Sequence, residues 1–390
     1  MEVTIQIFCG NFRKKGVSFA FIEKKLLSIL SKMTVSKVLM GWSLDKSLYE
    51  QTANFLAERK IDFYLWFPVF SETGDLKDLS HLMDFHGQRL KSKKGTEFSF
   101  FCPNSQNIKK ILNIFEREFA AIKFNGVFLD RIRYPSFGNN YGFDGVFSCF
   151  CPNCCTVYER ENFNIEKLKI ALAAPNCASL AITGYKGCGA YTYKEPALDD
   201  FFRLKANIIF KKMQQMCMFF RQRNYSVGFD VFAPFLSPFV GQNLEKLSCL
   251  CDFMKPMMYR VTNAPAGLPY ETESLFRQTG YSDADKQNFY KILGIKKSES
   301  SRSVASSNPF DIGFAAGELE TLSKKSACPV FAGVEINRVK GIAETDPGYI
   351  EETLKAYAHT GIGGFALSWN LLDMPEENLN KAAEVIRPYT

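Results

Sequence analysis

The sequence predicts an α/β chain folded as a (β/α)8 barrel with long insertions after strands four and six. Three observations carry this. Eight short apolar runs recur along the 390 residues, and a longer stretch with helical spacing follows each. The runs are nearly continuous in apolar residues, as in strands buried on both faces of a parallel sheet. The first run leads into Cys9-Gly10-Asn11-Phe12-Arg13, which is no phosphate cradle, so the competing open doubly wound sheet lacks its usual Gly-rich loop.

The strand candidates are residues 3–8, 35–42, 61–67, 126–130, 225–232, 252–259, 330–336 and 364–369. Helical patterns fill the gaps at 19–32, 44–59, 107–121, 198–224, 244–249, 315–323, 348–360 and 375–386. Ser43 reads as the N-cap of the second helix. The seventh is well signed: Asp346 caps, Pro347 suits the first helical position and Gly361 ends it. Eight strands alternating with helices close most simply into a barrel, with the whole of 1–390 as one unit. Two gaps exceed ordinary loops, 135–197 and 260–312, and both leave the strand ends where barrel active sites lie. Residues 296–308 of the second are Ser-rich and polar, and 184–189 read as a flexible Gly-rich loop.

Composition narrows the function classes. Apolar residues make up 46% and charged residues 23%, which fits a globular chain and excludes disorder throughout. No apolar run is long enough to span a membrane. The net charge of +7 is spread along the chain rather than gathered into a stripe, so no nucleic-acid partner is expected. The opening Met1-Glu2-Val3-Thr4-Ile5 has no signal-peptide pattern, which leads to the expectation of a cytoplasmic protein. Twelve cysteines are too sparse for a disulfide scaffold. Homo-oligomerisation is left open.

Chemistry is expected at the strand ends. All three tryptophans fall there: Trp42, Trp66 and Trp369. An indole face stacks on a sugar ring, although tryptophan is also an ordinary core residue. Carboxylates fall at the same level: Asp130 on strand four, Asp230 on strand five and Glu335 on strand seven. A carboxylate inside an apolar strand is costly unless paired, so these form ion pairs with Arg131 or Arg133, or act as a glycosidase pair. Asp130 could flank a sugar with Glu335 across the pocket or with Asp230 on the neighbouring strand; the favoured assignment makes Glu335 the nucleophile or stabilising carboxylate, Asp130 the acid/base and Asp230 the reserve. Arg133, Lys255, Tyr259 and Asn337 read as groups that bind hydroxyls or tune the carboxylates. With three histidines and no G-x-S-x-G elbow or P-loop, other hydrolytic and phosphoryl chemistries have poor material.

Cys149, Cys151 and Cys154 form a C-x-C-x-x-C knuckle with a proline after its second cysteine. Tight turns let such thiolates share one ion, and structural zinc takes four ligands. Cys102 or Cys155 is the candidate fourth. Such a site would staple the long loop after strand four. No organic cofactor is expected.

The run from Gly126 to Pro135 resembles the fourth-strand D-x-x-R-Y-P motif of glycoside-hydrolase-like barrels, with Asp130, Arg133, Tyr134 and Pro135 at the motif positions. Phe229 to Pro234, Gly241-Gln242 and Asp252 to Tyr259 resemble later strands of the same group. The resemblance implies a glycoside hydrolase acting on a carbohydrate. The order Cys102, Cys149, Cys151, Cys154 is similar to the zinc cluster of family 42 β-galactosidases, which carry Asn-Glu on strand four where this chain has Leu129-Asp130. Two rival readings remain: a carbohydrate-binding barrel without catalysis, and a lyase using Lys255 as a Schiff-base amine.

Overall fold

The computed structural model describes residues 1–9, 17–41, 43, 45–71, 80–90, 98–173, 180–295 and 309–390. Trp42 and the Ser-rich 296–308 stretch lie outside them. Eight parallel strands close into a barrel: β1 (Glu2–Phe8), β2 (Lys37–Gly41), β3 (Asp62–Pro68), β4 (Gly126–Asp130), β5 (Ser226–Phe232), β6 (Phe253–Met257), β7 (Phe331–Glu335) and β8 (Gly364–Ser368). Each strand pairs with its neighbours in chain order, and β8 pairs with β1.

Side chains alternate across the sheet, so every second residue points into the barrel. Leu39, Tyr64, Phe128, Phe253 and Phe331 form one interior cluster, with the Phe128 and Phe253 rings stacked 5.9 Å apart. Two residues further along three of these strands stand Trp66, Asp130 and Lys255. The lower barrel is thus plugged by aromatic rings, with the Lys37 amine against Phe253 and Phe331 at its base, and on β3, β4 and β6 polar or amphipathic groups follow one step nearer the C-terminal ends. The residues between, such as Val127 and Leu129, face the helices and join the main core.

Three local readings are corrected. The second helix begins later than expected, at Lys46–Ala57. Its cap is Asp45, whose carboxylate accepts from the Leu48 N–H at 3.2 Å, while Ser43 accepts from the Asp45 N–H. The helix before β7 runs longer than its apolar pattern, from Ile312 to Lys325, because Asp311 caps it from the polar side. A third excursion leaves β3 and reaches the helix Asn107–Glu118. It has isolated bridges, Ser71 to Phe100 and His81 to Phe101, but no regular period to announce it.

The two expected insertions carry structure of their own. The first holds helices Gly142–Val146, Pro152–Arg160 and Ile165–Ala173 and an antiparallel pair, Ile182–Tyr185 with Tyr191–Tyr193. The second holds Leu268–Thr279 and Asp283–Ile292.

Candidate active site

A cavity of about 520 Å³ opens where the loops after β3, β4, β6 and β7 converge over the barrel mouth. Phe8, Trp66, Phe98, Tyr259, Tyr270 and Trp369 give it aromatic walls, and Asp130, Asp230, Arg131 and Arg133 supply its charge. Six of the residues expected from sequence therefore line it: Asp130, Asp230, Arg133, Tyr259, Trp66 and Trp369.

Asp130 ends β4. Its two oxygens accept from the Arg131 backbone N–H at 2.5 Å and from the Trp66 indole N–H at 3.1 Å. Trp66 is thus a positioning group for the carboxylate as well as a wall. Arg131 has a left-handed backbone, φ 52°, which turns its guanidinium back to within 3.8 Å of the same carboxylate. It also donates to the Ser71 hydroxyl at 2.9 Å and lies over the Phe98 ring.

Asp230 sits one strand away. β4 and β5 pair Leu129 with Phe229, so the next residues, Asp130 and Asp230, stand at one level. Neighbouring strands lie about 4.8 Å apart at the backbone, which brings the two carboxylates to one side of the cavity. Lys255, register partner of Asp230, donates to both its oxygens at 3.1 and 3.2 Å and to the Tyr259 hydroxyl at 2.6 Å. Burial pushes Asp230 up to about 7, with Asp130 adding to the rise and Lys255 opposing it. Burial alone would lower Lys255, but Asp230 and Tyr259 outweigh it and raise it. Lys255 is therefore held as an ammonium, a poor state for a Schiff-base nucleophile. Burial pushes Tyr259 up to about 12.

Arg133 is buried between Phe232 and Phe100, and one of its nitrogens donates to Tyr134 O at 2.9 Å and Asn139 Oδ1 at 3.0 Å. Burial brings it down to about 10, against the pull of Glu271, Asp130 and Asp230. Glu271 was missed from sequence because it lies on a helix of the second insertion. It accepts from Ser136 Oγ, the Gly138 N–H and the Ala266 N–H at 2.7, 2.8 and 2.9 Å, clamping the β4 loop to the β6 loop. A Cβ at position 138 would meet the Glu271 carboxylate at 2.7 Å, so a larger residue there would push this clamp aside.

Glu335 and Asn337 do not line the cavity. Glu335 is fully buried and accepts from the N–H groups of Arg260, Val261 and Thr262, from the Thr262 hydroxyl and from the Tyr349 hydroxyl. These bonds tie the β6 loop and the helix Pro347–Ala358 to the end of β7. Every orbital direction of the carboxylate is engaged, so the geometry makes Glu335 an anchor rather than a group facing substrate. Asn337 accepts from the Trp369 and Asn370 N–H groups and donates to Asn370 O at 3.1 Å, which fixes the turn presenting Trp369.

Away from the cavity, Cys102, Cys149, Cys151 and Cys154 bring all four sulfurs within 4.8 Å of one another, all buried. Cys102 Sγ is 3.5 Å from Cys151 and 3.4 Å from Cys154. Zinc–thiolate bonds of about 2.3 Å place tetrahedral sulfurs about 3.8 Å apart, so the set fits a closed four-ligand ion. The Met83 N–H and the Asn104 amide donate to Cys149 and Cys154 sulfurs, as expected around thiolate ligands. Cys155 turns away to Phe150 O, which leaves Cys102 as the fourth member.

No protein-family model matches the chain, and no curated protein does. Solved structures do match. The glycoside hydrolase domain of PgaB (BpsB) from Bordetella bronchiseptica aligns over 99% of this chain and 98% of its own, with a TM-score of 0.58 at 10% identity. The Group IV chitinase of Ostrinia furnacalis aligns over 99% of both chains at 0.47 and 8%. The spore cortex-lytic enzyme SleL of Bacillus megaterium covers 98% and 73%, at 0.47 and 8%. At such identities the likeness to the PgaB domain establishes the fold, a closed (β/α)8 barrel.

Proposed function

We propose that the chain is a glycoside hydrolase acting on an oligosaccharide or glycoside held in this cavity. The supporting observation is the pair Asp130 and Asp230, set at one level of neighbouring strands inside a tryptophan-walled pocket. Two carboxyl groups in different environments are what glycosidic cleavage requires. Asp230, raised to about 7, keeps a proton near neutrality and gives it to the leaving oxygen. Asp130, whose oxygens accept from N–H donors, is the second carboxylate, acting on the anomeric carbon or on water. Trp66 and Trp369 form the sugar platform, and Arg133 and Tyr259 line it. The shared fold of a domain named as a glycoside hydrolase agrees with this reading.

The test is release of reducing sugar from a panel of glycans, with D130N and D230N alongside wild type. Wild type cleaves at least one glycan, and each variant loses about 10²–10⁴-fold while keeping its thermal transition. Full activity in both variants would remove the pair from the chemistry. A carbohydrate-binding barrel without catalysis is favoured by one observation, that Lys255 occupies both oxygens of Asp230. It predicts glycan binding with no turnover by wild type.

We also propose that the four-cysteine cluster holds a structural zinc. Four protein ligands leave no open position, so the ion ties the β3 excursion to the β4 insertion and takes no part in cleavage.

A further inference from the structure

One feature of the barrel base belongs neither to the cavity nor to the four-cysteine cluster. The seam between β6 and β7 is thin. Met257 pairs with Gly333, and Met254 bridges to Val330. The cause is in the sequence. The Met254 N–H donates to Pro329 O, so alternate residues of β6 direct their donors toward β7. Two residues on stands Pro256, which has no N–H to give.

Two cysteines meet at the N-terminal end of this seam. Cys251 lies just before β6 and Cys328 just before β7, with their sulfurs 3.6 Å apart. The loops that carry them are already joined, because the Ala327 N–H donates to Ser248 Oγ at 2.9 Å. A disulfide bond is about 2.05 Å long, so each sulfur need move by less than about 1 Å. Cys251 is buried, whereas Cys328 is partly open to solvent and can meet a soluble oxidant first.

We propose that Cys251 and Cys328 form a reversible disulfide that staples the thin β6–β7 seam. The segment between them carries Met257, Tyr259, Thr262 and Tyr270, one wall of the cavity. The bond would therefore fasten both ends of that wall at the base of the barrel. The thiol chemistry stands whether or not the cavity cleaves glycosides.

The oxidant is a small-molecule disulfide such as oxidised glutathione. The Cys328 thiolate attacks one of its sulfurs, forming a mixed disulfide and releasing one glutathione thiolate. Cys251 gives up its proton and attacks Cys328 Sγ, releasing the second. Two cysteine thiols are oxidised by two electrons, and one glutathione disulfide becomes two thiols. The order of attack agrees with the environment: the Cys251 thiol and Ser326 lower Cys328, and burial raises Cys251.

The test equilibrates the full chain in glutathione buffers of rising oxidised-to-reduced ratio, followed by acid quench, alkylation and peptide mapping. The expected result is a Cys251–Cys328 linked peptide. Alkylation of both cysteines falls at least tenfold and returns when reduced glutathione is restored. The oxidised chain melts a few degrees higher, since a long loop is closed, and C328S shows no such rise. The proposal is overturned if both cysteines stay alkylatable, if Cys328 stops at a glutathione adduct, or if either pairs elsewhere. A linked pair without a rise in melting temperature overturns the stapling role.

Discussion

Asp230 and Lys255 face each other across the β5–β6 register, and both are essentially cut off from solvent. Burial raises the carboxyl, so the folded chain keeps this proton to about pH 7, where an exposed aspartate would have lost it. If Asp230 delivers the proton, activity is present below about pH 7 and falls as pH rises through it. Lys255→Met removes the opposing cation, raises Asp230 further and moves this alkaline limb upward. A pH profile of kcat/KM for both proteins checks the direction, and a shift toward acid contradicts it. Glu335 gives a different signature. Replacing it by Gln turns a donor toward N–H groups that already point inward. We expect Glu335→Gln to cost about 2–3 kcal/mol of stability, read by denaturant titration, with kcat changed little in the folded fraction. The strand-end positions of Asp130, Asp230 and Glu335 were legible in the sequence, because carboxylates interrupt apolar runs. Which of them faces the cavity was not, since that depends on five donors drawn from the β6 loop and an outer helix.

The excursions between strands shape the site at the next scale. The β3 excursion brings Phe98 to the cavity and Cys102 to the cysteine cluster, and no periodicity foretold it. Its only sequence signal was the isolated Cys102-Pro103-Asn104, which repeats the Cys151-Pro152-Asn153 of the knuckle. Elemental analysis should find one zinc per chain, and Cys102→Ser should fall well below that and melt at least several degrees lower. Equal metal content in both proteins would place the ion elsewhere. The turn after β8 depends on Asn337 in a similar way. Asn337→Ala frees the N–H groups of Trp369 and Asn370, and the platform loses its fixed orientation. The expected result is a KM raised about tenfold with a smaller change in kcat. An unchanged KM would show that Trp369 is set by packing alone.

The whole molecule was the most legible level. Eight buried runs with helices between them have few ways to hide their apolar faces, and closure satisfies all eight at once. The aromatic plug of Tyr64, Phe128, Phe253 and Phe331 then sets the depth of the cavity, because on β3, β4 and β6 polar or amphipathic groups follow one step above it. Substrate identity was not legible, since it depends on loops whose contacts cross the barrel, such as Glu271 on Ser136 and Gly138. The central claim is that this mouth holds a glycosidic bond between Asp130 and Asp230. The most direct measurement is a crystal structure of the D130N chain with a bound glycan. The account predicts a sugar ring against Trp66 and Trp369, with the glycosidic oxygen within hydrogen-bond reach of Asp230. A glycan bound elsewhere, with the cavity empty beneath it, would contradict the account.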